Sequence, residues 1–243
     1  MEGKENAMRK GGFGMAFFVW LFVLLSILSA ALFTRVAYIG RPFGKLCTKT
    51  LASLCFLVVG ILCASASPLG SGRAFYAVLM LIGLFCGLVG DVSLAYQEVF
   101  PRKKERYFLL GLGAFLLGHL SYIATFAFLP QAGALWLLVA ALLFLALLCA
   151  QRFFKVELGN MRLPVYLYAA TISLMAGLAC GTAVGAQNLQ GWLVCIAAWL
   201  FVFSDGVLAL LYFGRPRGRW LTAANLGSYY LAQLLLALSI WLR

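Results

Sequence analysis

Apolar runs long enough to cross a bilayer recur from one end of this 243-residue chain to the other. They occupy residues 14–33, 46–66, 74–96, 107–128, 132–150, 164–186, 190–213 and 221–242. Water is absent from a bilayer core, so backbone amides and carbonyls there must pair within their own helix or a closed barrel. A run of about 20 apolar residues is a spanning helix. The expected fold is therefore all-α and polytopic, with eight transmembrane helices. Hydrophobic residues make up 64% of the chain and charged ones 11%, which excludes an ordinary soluble domain. The first run is too long for the core of a cleavable leader, and no small-residue cleavage site clearly follows it. Residues 1–13 read as a basic tail and 14–243 as a single membrane domain.

The net charge of +12 suggests nucleic acid only until the basic residues are located. The loops after spans one, three, five and seven hold Arg35, Arg41 and Lys45; Arg102, Lys103, Lys104 and Arg106; Arg152, Lys155 and Arg162; and Arg215, Arg217 and Arg219. The opposite side holds Lys4, Arg9, Lys10, Arg73 and Arg243. Such an excess marks the cytoplasmic side, so both termini are expected outside and the odd-numbered loops inside. The loop charges serve topology and lipid head groups, and no nucleic-acid partner is expected. Either a bacterial inner membrane or the endoplasmic reticulum suits this pattern. The seven cysteines are scattered through apolar segments without a Cys-x-x-Cys pair, so neither a disulfide framework nor a metal site is expected.

The chain has two aspartates, Asp91 and Asp205, and both fall inside spans. A carboxylate at membrane depth costs at least about 2.5 kcal/mol, and such residues usually mark function. Their surroundings match at an offset of 114 residues. Asp91, Leu94 and Ala95 align with Asp205, Leu208 and Ala209; Leu112, Gly113, Leu117 and His119 align with Leu226, Gly227, Leu231 and Gln233. An offset of four spans predicts two parallel half-repeats, 14–128 and 129–243, with spans three and seven facing each other across a pseudo-two-fold axis.

Other polar residues within spans are few. Lys49 reads as one turn into span two, where it either snorkels to the head groups, contacts a phosphate or neutralises an aspartate. The lone histidine, His119, reads as a packing residue or a pocket residue. Ser204 and Gly90, beside the two acids, suit close helix packing. Tyr168, Tyr229, Tyr230 and Gln233 carry polar tips on spans six and eight. At about 1.5 Å per residue, this set gathers in the cytoplasmic half of the bilayer, the place for a site that takes an amphipathic lipid.

These residues also carry a family resemblance. The ordered marks are Lys49-Thr50-Leu51; Gly90-Asp91 with Leu94-Ala95; Gly111, Gly113, Phe115, His119 and Tyr122; Leu163-Pro164-Val165, Tyr168 and Met175; Ser204-Asp205 with Leu208-Ala209; and Tyr229, Tyr230 and Gln233. Over nearly its whole length the chain resembles the YhhN family of eight-span proteins, whose animal TMEM86 members are lysoplasmalogenases. The family pattern often has proline after the span-two lysine, where this chain has Thr50.

The resemblance implies hydrolysis of the vinyl ether bond of lysoplasmenyl-ethanolamine or lysoplasmenyl-choline to a fatty aldehyde and a glycerophospho-alcohol, with no cofactor or metal. Protonation of the alkene carbon leaves an oxocarbenium ion, water adds, and the hemiacetal collapses. That chemistry needs a proton donor and a nearby negative group, which a pair of membrane-buried carboxylates supplies. Asp91 and Asp205 are the expected catalytic pair, with the assignment of acid and base left open. Lys49, His119, Tyr122, Tyr168, Ser204, Tyr229, Tyr230 and Gln233 are the expected substrate-binding set. The alternative is a proton- or cation-coupled small-molecule transporter using the same aspartates. A serine esterase is disfavoured because no Gly-x-Ser-x-Gly elbow occurs.

Overall fold

A computed structural model describes residues 2–66, 70–214 and 218–242. The turn read over Ser67 to Leu69, the basic run Arg215 to Arg217, and Arg243 lie outside them. Eight helices long and apolar enough to span a membrane follow one another, and the described residues contain no strand. They are α1 (Glu2–Ile39), α2 (Pro42–Ala66), α3 (Ser71–Val99), α4 (Lys104–Ala127), α5 (Leu135–Phe153), α6 (Arg162–Ala186), α7 (Leu189–Phe213) and α8 (Arg219–Ser239). Their outer faces carry large apolar side chains such as Trp20, Leu28, Phe85, Leu117 and Phe203. In an aqueous protein these would be a liability; in a bilayer they are the solvent-matched surface.

Local chemistry sets the helix ends. Proline lacks the N–H that a first turn leaves unpaired, so α2 starts at Pro42, earlier than the apolar run indicates. Lys49 consequently lies about two turns inside the helix rather than one. Span five is displaced toward the C-terminus relative to the expected 132–150, because Pro130 and Gly133 (φ +57°) hold the preceding segment in a turn. Between α6 and α7, Gln187 adopts a left-handed conformation (φ 48°), and the Asn188 side chain accepts from Gly191 N at 2.8 Å. That is an N-cap, which satisfies one of the orphan amides of α7.

Packing joins the helices in a closed circuit, α2–α3–α4–α6–α7–α8 and back to α2. Outside it, α1 rests on α2 and α8, while α5 rests chiefly on α6. Adding four to each helix number, counted cyclically, carries every contact of the circuit onto another contact of the circuit. In it, α3 and α7 occupy opposite positions.

Close approach requires small residues at the crossings, because association in lipid relies on van der Waals fit. On α6, a Cβ at Gly177 would stand 2.4 Å from Trp136 O, and one at Gly181 would stand 2.3 Å from Gln131 Oε1. This strip lets α5 and its leading turn dock on α6. On α3, a Cβ at Gly83 would lie 2.2 Å from the Tyr122 ring, which is fully enclosed. Gly83→Ala is therefore expected to destabilise the protein by about 1–3 kcal/mol, read as a lowered thermal unfolding midpoint in detergent. An unchanged midpoint would show that the α3–α4 crossing is slack. No disulfide joins any of the seven cysteines among the described residues; Cys180 and Cys195 approach to 3.6 Å between α6 and α7.

Candidate active site

The two aspartates have different surroundings. Asp91, on α3, is 1% exposed. Its Oδ2 accepts hydrogen bonds from Ser53 Oγ at 2.6 Å and from the Tyr229 hydroxyl at 2.8 Å, and Lys49 Nζ lies 3.1 Å from its Oδ1. Three donors, one of them an ammonium, suit an acceptor-only carboxylate. Lys49 is itself buried, so the geometry shows it as the counter-charge of Asp91, with its ammonium directed into the bundle. Ser53 follows Lys49 by one helical turn on the same face of α2. Sequence reasoning passed over Ser53, although that spacing was legible.

The Asp91 cluster continues across the bundle. Gln233 Nε2 donates to the Tyr229 oxygen at 3.1 Å, and the Tyr122 hydroxyl donates to Gln233 Oε1 at 2.9 Å. Gly87 leaves room for this, since a Cβ there would fall 2.3 Å from Gln233 Nε2. Tyr230 contributes a long hydrogen bond to the Lys49 carbonyl at 3.3 Å. Of the expected set, Asp91, Lys49, Tyr122, Tyr229, Tyr230 and Gln233 thus form one network on α2, α3, α4 and α8.

Asp205 belongs to a second site. Its Oδ2 accepts from the Tyr168 hydroxyl of α6 at 2.7 Å, and the carboxyl lines a cavity of about 420 Å³ between α4, α5, α6 and α7. The volume falls within the usual range of small-ligand sites, about 300–1,000 Å³. The cavity lies toward the odd-loop ends of these helices. Its walls are mostly leucine, valine and phenylalanine, and among the described residues Asp205 is the only charged side chain on it. The segment joining α5 to α6 covers its end. Val156 and Leu158 are buried there, and Glu157 N donates to Phe213 O at 3.4 Å.

An aromatic layer connects the two sites. The Tyr229 ring packs edge-on against Phe115 at 5.8 Å and Phe201 at 5.7 Å, and Phe115 also faces the cavity. Asp91 therefore stands behind the wall that Asp205 lines, and the two carboxyls keep separate hydrogen-bond partners. His119 is 2% exposed, with its ring 5.2 Å from both Tyr168 and Phe201. Its Nδ1 lies 2.7 Å from Phe115 O and must carry the proton to bond that carbonyl. Nε2 is then an acceptor, buried and without a hydrogen bond among the described residues. Ser204 is in neither site: its hydroxyl donates to Asn225 O at 3.0 Å, and Asn225 Nδ2 returns a bond to Ser204 O at 2.8 Å, clamping α7 to α8. Among the described residues no three His, Cys, Asp or Glu side chains converge as metal ligands would.

Fold and site together define a multi-pass α-helical membrane protein with a carboxyl-bearing, mostly apolar cavity. The YhhN family matches residues 44–240, and the chain belongs to that family. Curated relatives include the lysoplasmalogenase TMEM86B of Rattus norvegicus, 34% identical over 169 residues that cover 68% of this chain and 62% of the relative. Its Homo sapiens counterpart is 34% identical over 171 residues (68% and 64%), and Homo sapiens lysoplasmalogenase TMEM86A is 31% identical over 170 residues (67% and 65%). The chain thus spans just under two thirds of these relatives' lengths. No solved structure matches it.

Proposed function

We propose that this protein hydrolyses the vinyl ether bond of lysoplasmalogens, with Asp205 as the proton donor. The observation that carries this is a single charged side chain, the Asp205 carboxyl held by Tyr168, on a mostly apolar cavity, in a chain related to named lysoplasmalogenases. That kinship favours hydrolysis over the carrier alternative. The basic odd-numbered loops support placing the cavity in the cytoplasmic half of the bilayer, with both termini outside. The circuit of helix contacts, with the 114-residue offset, supports descent from a duplicated four-helix unit.

The chemistry needs one acid used twice. Asp205 gives its proton to the alkene carbon distal to the ether oxygen, which leaves an oxocarbenium ion beside the new carboxylate. The Tyr168 hydroxyl stabilises that carboxylate, and the carboxylate stabilises the cation at close range in a water-poor site. Water then adds to the oxocarbenium carbon and returns a proton to Asp205, and the hemiacetal separates into aldehyde and glycerophospho-alcohol. His119 Nε2, an acceptor next to Tyr168, orients the water. Asp91, Lys49, Ser53, Tyr122, Tyr229, Tyr230 and Gln233 hold the aromatic wall behind the substrate, and Ser204 keeps Asp205 in register through its α7–α8 clamp. This division of labour differs from the acid–base pair expected from sequence, because Asp91 is hydrogen-bonded to groups of α2 and α8.

Purified protein in detergent, offered lysoplasmenyl-ethanolamine and an ester-linked lyso-lipid, is expected to release fatty aldehyde from the first and no fatty acid from the second. A folded sample that releases neither, but couples solute uptake to protons in vesicles, would replace the hydrolase by a carrier.

A further inference from the structure

Two cavity-lining hydroxyls near the covered end are not used by the proposed proton transfer: Tyr166, which donates to Gln151 Oε1 at 3.2 Å, and Tyr212. Tyr212 is the one on the same helix as Asp205. It lies two helical turns beyond Asp205 on α7, about 10 Å along the axis and on the same face. Gln97 of α3 anchors it: Nε2 of Gln97 donates both to Leu94 O at 2.7 Å and to the Tyr212 oxygen. The bond to Leu94 O fixes the orientation of that amide. Tyr212 therefore accepts from Gln97, and its own proton makes no hydrogen bond among the described residues. Aromatic rings surround it, with Phe108 at 5.1 Å and Phe108 also edge-on to Phe213 at 5.6 Å. All three rings line the cavity.

We propose that Tyr212, Phe108 and Phe213 form the head-group subsite, which takes the phospho-ammonium group of a lyso-lipid; the inference rests on the hydrolase reading above. The Tyr212 hydroxyl donates to a phosphate oxygen, and the ring faces of Phe108 and Phe213 receive the ammonium, as aromatic rings do with organic cations. The substrate's dimensions fit. Eight bonds lead from the alkene carbon that takes the proton to a phosphate oxygen, about 9–10 Å when extended, against about 10 Å between Asp205 and Tyr212 along α7. The head group then lies under the α5–α6 segment, and the alkenyl chain leaves sideways past α5, which packs chiefly on α6 and leaves the α4 side open. None of the signals used to select residues from sequence pointed to Tyr212. Its distance of two turns from Asp205 was visible there, but its contact with Gln97, on a helix far away in the chain, was not.

The test measures kcat/KM of Tyr212→Phe for lysoplasmenyl-ethanolamine and for the corresponding alkenylglycerol, which lacks the head group. The ratio of the two is expected to fall about tenfold, the loss typical of one hydrogen bond to a charged group, mainly through KM. Phe108→Leu is expected to lower the same ratio. A merely structural role would depress both substrates and leave the ratio unchanged, which would overturn the subsite. Binding of a non-hydrolysable alkyl lysophosphoethanolamine, followed by calorimetry in detergent, separates the two proposals. Tenfold weaker binding by Tyr212→Phe in a protein that turns over no vinyl ether would leave the subsite standing and sink the hydrolase. Vinyl ether turnover with unchanged ratio and unchanged binding would do the reverse.

Discussion

Asp205→Asn is expected to lower turnover of lysoplasmenyl-ethanolamine by ~10²–10⁴-fold, the usual contribution of a positioned general acid, with the protein still folded. Asparagine keeps the shape of the side chain and an oxygen that accepts the Tyr168 hydroxyl, so the helix contact at 2.7 Å survives. What disappears is the transferable proton. The measurement is aldehyde release, with thermal unfolding as the control on folding. If a well-folded Asp205→Asn variant kept wild-type turnover, the proton would have to come from another group and the proposed chemistry would fail. Tyr168→Phe removes the hydroxyl that steadies the carboxylate and should cause a smaller loss, about tenfold, without changing which products form.

Lys49→Met carries the largest expected effect on stability. Removing the ammonium leaves Asp91 as a buried acid with its counter-charge gone, and breaking such a pair from one side typically costs about 3–5 kcal/mol. Asp91→Asn in the same chain removes the remaining charge. Ser53 and Tyr229 can still donate to the asparagine oxygen, so the double variant should recover most of the lost stability. A double variant no more stable than Lys49→Met would mean that the pair is not what Lys49 stabilises. Activity of the recovered double variant then separates two roles for Asp91. As a positioning residue behind the aromatic wall, its loss should cost about tenfold, well short of the effect at Asp205. A folded double variant as inactive as Asp205→Asn would place Asp91 in the chemistry and restore the acid–base pair of Asp91 and Asp205.

The two aspartates differ in the donors that surround them. At the 114-residue offset, Tyr229 of the second half corresponds to Phe115 of the first. The tyrosine supplies a hydroxyl to Asp91; the phenylalanine faces the cavity and has none to offer Asp205. On α2, Lys49 and Ser53 complete the enclosure of Asp91, whereas Asp205 receives a single donor from α6. One carboxyl is enclosed by three donors within the bundle, and the other, with a single side-chain donor, lines the cavity.

Much of this protein was legible from residue order. A bilayer core supplies no hydrogen-bond partners, so run length and apolarity decide span number and helical state locally, and eight runs became eight helices. The cost of burying charge singled out Asp91 and Asp205 for the same reason. Polar tips at Tyr168, Tyr229 and Gln233 stood out because so little else in the spans is polar. Pairing was not legible. Whether Lys49 meets Asp91 or Asp205, that Tyr168 belongs to the second and Tyr229 to the first, that Ser204 is bound to Asn225, and that Asp205 alone opens on the cavity all depend on how each helix is rotated against its neighbours. Small-residue crossings such as Gly83 against Tyr122 and Gly177 against Trp136 set those rotations through contacts between distant parts of the chain, and no local pattern encodes them.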